Sequence, residues 1–333
     1  MQPFVEQPRL PVIDLSLTEG AEPWRDHVAA QVDWAASEFG FFYVVGHGID
    51  LGSIDTLYRL SRAFFAQEDS AKQAIRMALG GRAWRGYFPV GSELTSGQPD
   101  LKEGLYFGEE LSDDDPRVRA GMPLHGRNLF PGLPGFSESI LEYMRALTQL
   151  GHRLMASIGR GLKVGEDYFV DHFTSDPTIL FRIFNYPPSS EHTQGVGAHT
   201  DYGLLTILSQ DDIGGLQIRY GDRWIDVPPV RGSFVCNIGD MLERLTSGRY
   251  TSALHRVVNR STQQRLSMPF FFDPRFDAKL ASLPNVGPVV ERPGVRERWD
   301  GINLRDVQGT YGDYLIGKVS KVFPELKAQH LAQ

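Results

Sequence analysis

A single cysteine, Cys236, stands in 333 residues, so no disulfide can close within the chain. It lies in the apolar stretch GSFVCNIGD, where a thiol behaves as a small buried hydrophobe and not as a nucleophile. Uninterrupted apolar runs of membrane-spanning length, about eighteen residues, are missing. The first thirty residues also lack a basic stretch followed by an apolar one. Neither a membrane span nor a secretion signal is expected, and the cytoplasm is the expected compartment. Basic clusters are absent as well: 34 Lys and Arg against 41 Asp and Glu give a formal charge of −7, with the cations scattered. That pattern excludes the electrostatic footprint of a nucleic-acid or anionic-membrane binder and leaves a small molecule as the expected partner. No internal repeat or low-complexity segment is visible, and nothing in the sequence sets an oligomeric state.

What is present changes character along the chain. Residues 10–16, LPVIDLS, read as a short strand, and residues 23–39 carry Trp24, Val28, Val32, Ala35 and Phe39 at helical spacing until Gly40 stops them. The strand FFYVV and the turn GHGID lead into a second amphipathic helix with Ile54, Leu57, Leu60 and Phe64 on one side. Residues 77–134 are rich in Gly, Pro and charge, as in RGYFPVGSE and DLKEGLYFG, and predict irregular structure. A long helix follows over 137–162, striped by Ile140, Tyr143, Leu147, Leu150, Leu154 and Ile158.

Beyond Thr178 seven short strands alternate with turns: ILFRIFNY, GLLTILSQ, GGLQIRY, RWIDVP, GSFVCNIG, ALHRVVN and RLSMPFFF. The fold class is therefore mainly β with flanking helices, seven or eight such strands forming an antiparallel sandwich, barrel or jelly roll. The divisions expected within one compact unit are an N-terminal α/β region over 1–135 and a long helix with its connector over 136–174. A β core over 175–280 and a C-terminal segment with a helix over 281–333 complete it.

The chemistry-bearing candidates begin with His199-Thr200-Asp201, the one His-x-Asp triplet in the chain. Chance supplies about half of one such triplet at this composition, so the triplet alone carries little weight. On an extended strand, however, side chains at i and i+2 share a face, and His199 and Asp201 could converge on one ion. His255, in SALHRVVNR, offers a third ligand, with Leu254 and Val257 expected to face away from it. Two histidines and one carboxylate form the facial triad of non-haem Fe(II) oxygenases, whereas a structural zinc site would want a closed set of four ligands. Arg265 and Ser267, again at i and i+2, would put a guanidinium fork beside a hydroxyl, the combination that a buried carboxylate needs.

His199-x-Asp201, 53 intervening residues, His255, nine more, then Arg265-x-Ser267: this order resembles the isopenicillin N synthase-like group of Fe(II)/2-oxoglutarate-dependent dioxygenases. PVIDLS and FGFFYVVGHGI resemble the N-terminal region of that group, FNYPP and GVGAHTDYGLLTILSQDDIGGLQI its catalytic core, and YGDYLIGKVSKVFPEL its C-terminal helix. The resemblance implies a double-stranded β-helix, or jelly roll, with His199, Asp201 and His255 holding Fe(II). It implies Arg265 and Ser267 on the distal carboxylate of the cosubstrate 2-oxoglutarate, Tyr186 beside that cosubstrate, and O2 as oxidant. Succinate, CO2 and an oxidised C–H bond, most simply a hydroxylated one, would be the outcome. The chain departs from the group's Asn-Tyr-Tyr-Pro pattern by having Phe184 two positions before Tyr186. Arg182 on the same strand, Phe184, Phe271 and, from RGYFPVGSE, Tyr87 with Arg85 and Phe88 are candidates for the substrate side. An ethylene-forming enzyme that fragments 2-oxoglutarate, an oxidase resembling isopenicillin N synthase that consumes none, and a non-enzymatic metal-binding jelly roll are the alternatives.

Overall fold

A computed structural model describes residues 9–95, 97–189, 193–284 and 301–326, with isolated positions 287, 298 and 328. The stretch RGYFPVGSE is thus described in full, whereas most of residues 285–300 lie outside. The strands are β1 (Val12–Asp14), β2 (Phe41–Val45), β3 (Gly86–Phe88), β4 (Leu94–Thr95), β5 (Gln98–Pro99), β6 (Glu103–Gly108) and β7 (Thr178–Tyr186). They continue with β8 (Thr193–His199), β9 (Leu205–Gln210), β10 (Leu216–Tyr220), β11 (Arg223–Asp226), β12 (Phe234–Ile238), β13 (His255–Asn259) and β14 (Arg265–Asp273). The helices are α1 (Glu22–Glu38), α2 (Leu51–Phe65), α3 (Asp69–Gln73), α4 (Pro116–Arg119), α5 (Phe136–Gly161), α6 (Asp240–Leu245), α7 (Tyr311–Val322) and α8 (Pro324–Leu326).

From β7 onward the chain passes back and forth between two sheets, with only the β10–β11 hairpin staying within one, which is the winding of a jelly roll. The large sheet runs β1-β2-β12-β9-β14-β7-β6-β3, and the small one β11-β10-β13-β8. Only β1–β2 is parallel among the pairs described for the large sheet. The helix α5 lies against the large sheet. Ile140, Tyr143, Leu147, Leu150, Leu154 and Ile158 are all buried along one stripe, each aliphatic one worth about 1.5–3 kcal/mol of burial. Gly151 lets the helix approach, because a Cβ there would come within 2.6 Å of the Phe272 ring on β14. Caps fix the neighbouring helices: Asp50 accepts from the Ser53 amide at 2.8 Å to start α2, and Thr310 and Asp313 form a reciprocal capping box on α7. No helix among the described residues is long and apolar enough to cross a membrane.

One expectation needs correction. Residues 77–134 are not wholly irregular, since β6 and β3 extend the large sheet past β7 and β4–β5 form a hairpin. Every residue of β6 is buried, so its two faces show no alternation of the kind that reveals a half-exposed strand. The β core has eight described strands, within the seven or eight that the sequence suggests, one more than the seven segments named. The additional strand, β8, contains Gly195 and Gly197 and so reads as a turn. A Cβ at Gly195 would lie 2.8 Å from the Tyr186 ring, and glycine there permits the two sheets to close.

Candidate active site

His199 ends β8 and His255 begins β13, and the antiparallel register sets the two directly opposite each other. The register shifts immediately after His255, a local irregularity of the kind that re-aims a side chain. Asp201 lies in the turn after β8, so strand alternation is not what turns it toward the histidines. A cross-strand pair does that: Thr206 on β9 and Asn237 on β12 are register partners, and both donate to Asp201 Oδ2, at 2.5 and 2.7 Å. Oδ1 is left toward His199 Nε2 at 3.8 Å and His255 Nε2 at 3.7 Å.

Each histidine has its other nitrogen engaged. Nδ1 of His199 lies 2.7 Å from the Gly197 carbonyl, and Nδ1 of His255 lies 3.1 Å from the Ala253 carbonyl. A carbonyl can only accept, so Nδ1 carries the proton and both Nε2 lone pairs face inward. Burial, then repulsion from His255, lowers the His199 pKa to about 4 against the attraction of Asp201, which keeps the ring neutral and able to ligate. Burial alone would raise the Asp201 pKa, but the two histidines and the Asn237 and Thr206 hydrogen bonds bring it below the ordinary carboxylate value. Two imidazoles with their Nε2 atoms turned inward and a carboxylate, with ligand atoms within 4.8 Å of one another, suit a divalent iron-like ion with open positions.

Arg265 and Ser267 lie on β14 and line the same cavity as the three candidate ligands. Arg265 is 1% exposed. Its Nε donates to the Gly214 carbonyl and its Nη2 reaches Gln210 Oε1 at 3.5 Å, while buried Nη1 has no partner among the described residues. Tyr186, its register partner on β7, lies beneath it, with the guanidinium carbon 4.6 Å from the ring centroid. An unpartnered N–H on a buried cation is costly unless an anion completes it, so this end of the cavity fits a carboxylate.

The opposite wall is charged in another way. Arg182 on β7 donates through Nη1 to Glu93 Oε1 at 2.5 Å and through Nη2 to the Tyr106 hydroxyl at 3.1 Å. Lys102 Nζ lies 2.8 Å from Glu93 Oε2 and donates to Asp100, which also accepts from Thr95 at 2.6 Å. Phe184 and Phe271 line the cavity here. Lys102 sits 4.6 Å and Arg182 5.8 Å from the Phe184 ring centroid, so the residue that replaces the group's Asn is a platform for cations. Asp273, at the end of β14, has its pKa pushed up to about 7, chiefly by burial, while the Tyr311 hydroxyl that donates to it opposes the rise.

Three further expectations change. Tyr87 is not among the cavity-lining residues; its hydroxyl donates to Glu103 at 2.6 Å, inside the sheet extension. Arg85 is likewise structural, donating to the carbonyls of Glu109, Gly126 and Leu124, and Phe88 packs beside Phe184 and Phe323. Val257 does not face away from His255, for both line the cavity, as residues two apart on a strand must. The residues missed from sequence are Thr206, Asn237, Glu93, Lys102 and Asp273. Glu93 and Lys102 stood within the charged segments RGYFPVGSE and DLKEGLYFG, whose lack of periodicity hid which charges turn inward.

Comparison with known proteins agrees with this geometry. Residues 176–274 match the family described as the 2OG-Fe(II) oxygenase superfamily, and residues 10–132 match the N-terminal region described for non-haem dioxygenases of morphine synthesis. A protein of Dictyostelium discoideum named a probable iron/ascorbate oxidoreductase is 47% identical, with 96% of each chain covered. The 1-aminocyclopropane-1-carboxylate oxidase of Dictyostelium mucoroides is 36% identical over 95% of this chain and 96% of its own. Among solved structures, a full-length Neurospora crassa protein in complex with alpha-KG superposes with a TM-score of 0.78 at 25% identity, covering 93% of this chain and 95% of that one. With relatives of this identity matching nearly end to end, the chain belongs to the 2OG-Fe(II) oxygenase superfamily.

Proposed function

We propose that the protein hydroxylates a C–H bond of a small molecule, with His199, Asp201 and His255 holding Fe(II) and with Arg265, Ser267 and Tyr186 seating 2-oxoglutarate. The Nη1 of buried Arg265, unpartnered among the described residues and in the wall of the cavity that the three ligands share, carries this reading. Iron, when bound, supplies the redox chemistry by which O2 oxidises 2-oxoglutarate to succinate and CO2 and places one oxygen atom in the substrate C–H bond.

The chain's own work is positional. Asn237 and Thr206 hold Asp201 Oδ2, so that Oδ1 alone is presented to the metal. Gly197 and Ala253 carbonyls hold the two imidazoles in the ligating tautomer. Arg265 fixes the far carboxylate of the cosubstrate, and Tyr186 supports the guanidinium from below. Apolar groups of the wall, Leu208, Leu216 and Val257, exclude water around that end. Phe271 and Arg182 belong to the substrate side of this arrangement.

The test is succinate formation from 2-oxoglutarate in air-equilibrated buffer with Fe(II), in the wild type and in Asp201→Ala. Succinate from the wild type alone supports the assignment; equal release by both would overturn the metal site. A second reading draws on the relative named for iron and ascorbate. If ascorbate and O2 are consumed while 2-oxoglutarate is untouched, that reading replaces the first. Ethylene in the headspace would point instead to fragmentation of the cosubstrate.

A further inference from the structure

Glu93, Lys102 and Arg182 line the cavity that holds the metal site, and Asp100, paired to Lys102 but not itself lining the cavity, completes a cluster of two anions and two cations with almost no access to solvent. Glu93, Asp100, Lys102 and Arg182 are 3%, 2%, 1% and 8% exposed. The charges of those four sum to zero; Asp273, which lines the same cavity, adds an anion only where it is ionised, and burial pushes its pKa up to about 7. The metal end is separately balanced, since a divalent ion with Asp201 and a dianionic cosubstrate with Arg265 also cancel. A ligand with a single net charge would therefore leave one buried charge uncompensated, which is expensive in a cavity from which water is displaced.

The poles are also adjacent. Glu93 is in direct contact with both Arg182 and Lys102, and Arg182 keeps a buried Nε without a partner among the described residues. A ligand entering between such poles must bring an anion and a cation no farther apart than they are. An α-amino acid does so, because its ammonium and carboxylate are borne on neighbouring carbons. Its carboxylate would take Arg182, with Lys102 behind, and its ammonium would take Glu93. The rings of Phe184, Tyr106 and Phe271 that already face the Arg182 guanidinium would wall in the backbone of the ligand. The remainder of the ligand would extend toward His199 and His255, which line the same cavity.

We infer that Glu93 and Arg182 form a zwitterion clamp, and that the substrate is a free amino acid held by its α-ammonium and α-carboxylate groups. This inference rests on the oxygenase reading for the position of the oxidised carbon, but its binding half can be tested separately. The protein is loaded anaerobically with Mn(II) and 2-oxoglutarate, and its Tm is followed with the twenty protein amino acids and their one-carbon-longer homologues. Each is set beside its deaminated acid and its decarboxylated amine.

The expected result is that at least one amino acid raises Tm, and binds at least tenfold more tightly than both of its singly charged counterparts. Glu93→Gln removes the anionic pole and is expected to reverse that order, so that the deaminated acid binds better than the amino acid. Glu93→Gln/Arg182→Gln keeps the wall neutral, guards against misfolding of the single variant, and is expected to abolish the preference altogether. The clamp is overturned if no amino acid exceeds its counterparts, or if the preference survives in the double variant. Failure of 2-oxoglutarate with Mn(II) to shift the wild-type Tm would instead sink the oxygenase reading, so the two failures are distinguishable.

Discussion

The two ends of the cavity both bury cations, but they do so in opposite ways. Among the described residues Arg265 donates to no carboxylate and keeps an Nη1 with no partner, whereas Arg182, despite an unpartnered Nε, and Lys102 are already paired to Glu93 and Asp100. A lone buried cation is stable only when an anion arrives, so the Arg265 end is built for one dianionic ligand. A self-paired wall is stable empty and rewards only a ligand that replaces both partners at once. The contrast separates a cosubstrate site, fixed by one charge, from a selectivity site, fixed by a charge pair.

The sharpest break in that contrast comes at the metal. Asp201→Ala removes the only carboxylate among the three ligands, and succinate release is expected to fall more than about 100-fold, since even outer partners of ligands cost about 10–100-fold. Metal content after dialysis checks that the loss is one of iron. Arg265→Ala deletes charge-assisted hydrogen bonds worth about 1.5–3 kcal/mol, and should raise the KM for 2-oxoglutarate about 10–100-fold with a smaller change in kcat. The same substitution should leave amino-acid preference unaltered, which is the point of the comparison. Asn237→Ala frees Asp201 Oδ2 and is expected to weaken metal affinity about tenfold, measured by titration with Mn(II). Gly203→Ala places a Cβ 1.4 Å from Asp273 Oδ1, an overlap expected to cost about 1–3 kcal/mol of stability in urea unfolding, with cosubstrate KM little moved. Smallest is Ser267→Ala: loss of one hydroxyl hydrogen bond, about 1 kcal/mol, should raise the cosubstrate KM about fivefold.

Much of the site was readable because its residues announce themselves at short range. Arg265-x-Ser267 needs only a strand to share a face, and the strand is evident from RLSMPFFF. The α5 stripe was equally plain, since one helix buries one face along its whole length. Tyr87 and Arg85 misled for a physical reason: a polar aromatic and a cation in a Gly- and Pro-rich stretch look exposed, but here a sheet extension encloses them. Glu93 and Lys102 were invisible for the converse reason, because charges in a segment without periodicity give no sign of which way they turn.

The sequence by itself determined the donor types, their order and the strands bearing most of them, since these depend on residue chemistry and on a two-residue repeat. Only the tertiary structure decided how they meet. His199 faces His255 because β8 pairs with β13, and Asp201 turns inward because Thr206 and Asn237, 31 residues apart in the chain, become neighbours across β9 and β12. Arg182 meets Glu93 only because the β4–β5 hairpin folds over the end of the jelly roll. Those contacts are long-range, and no local pattern encodes which distant strand a residue will pair with.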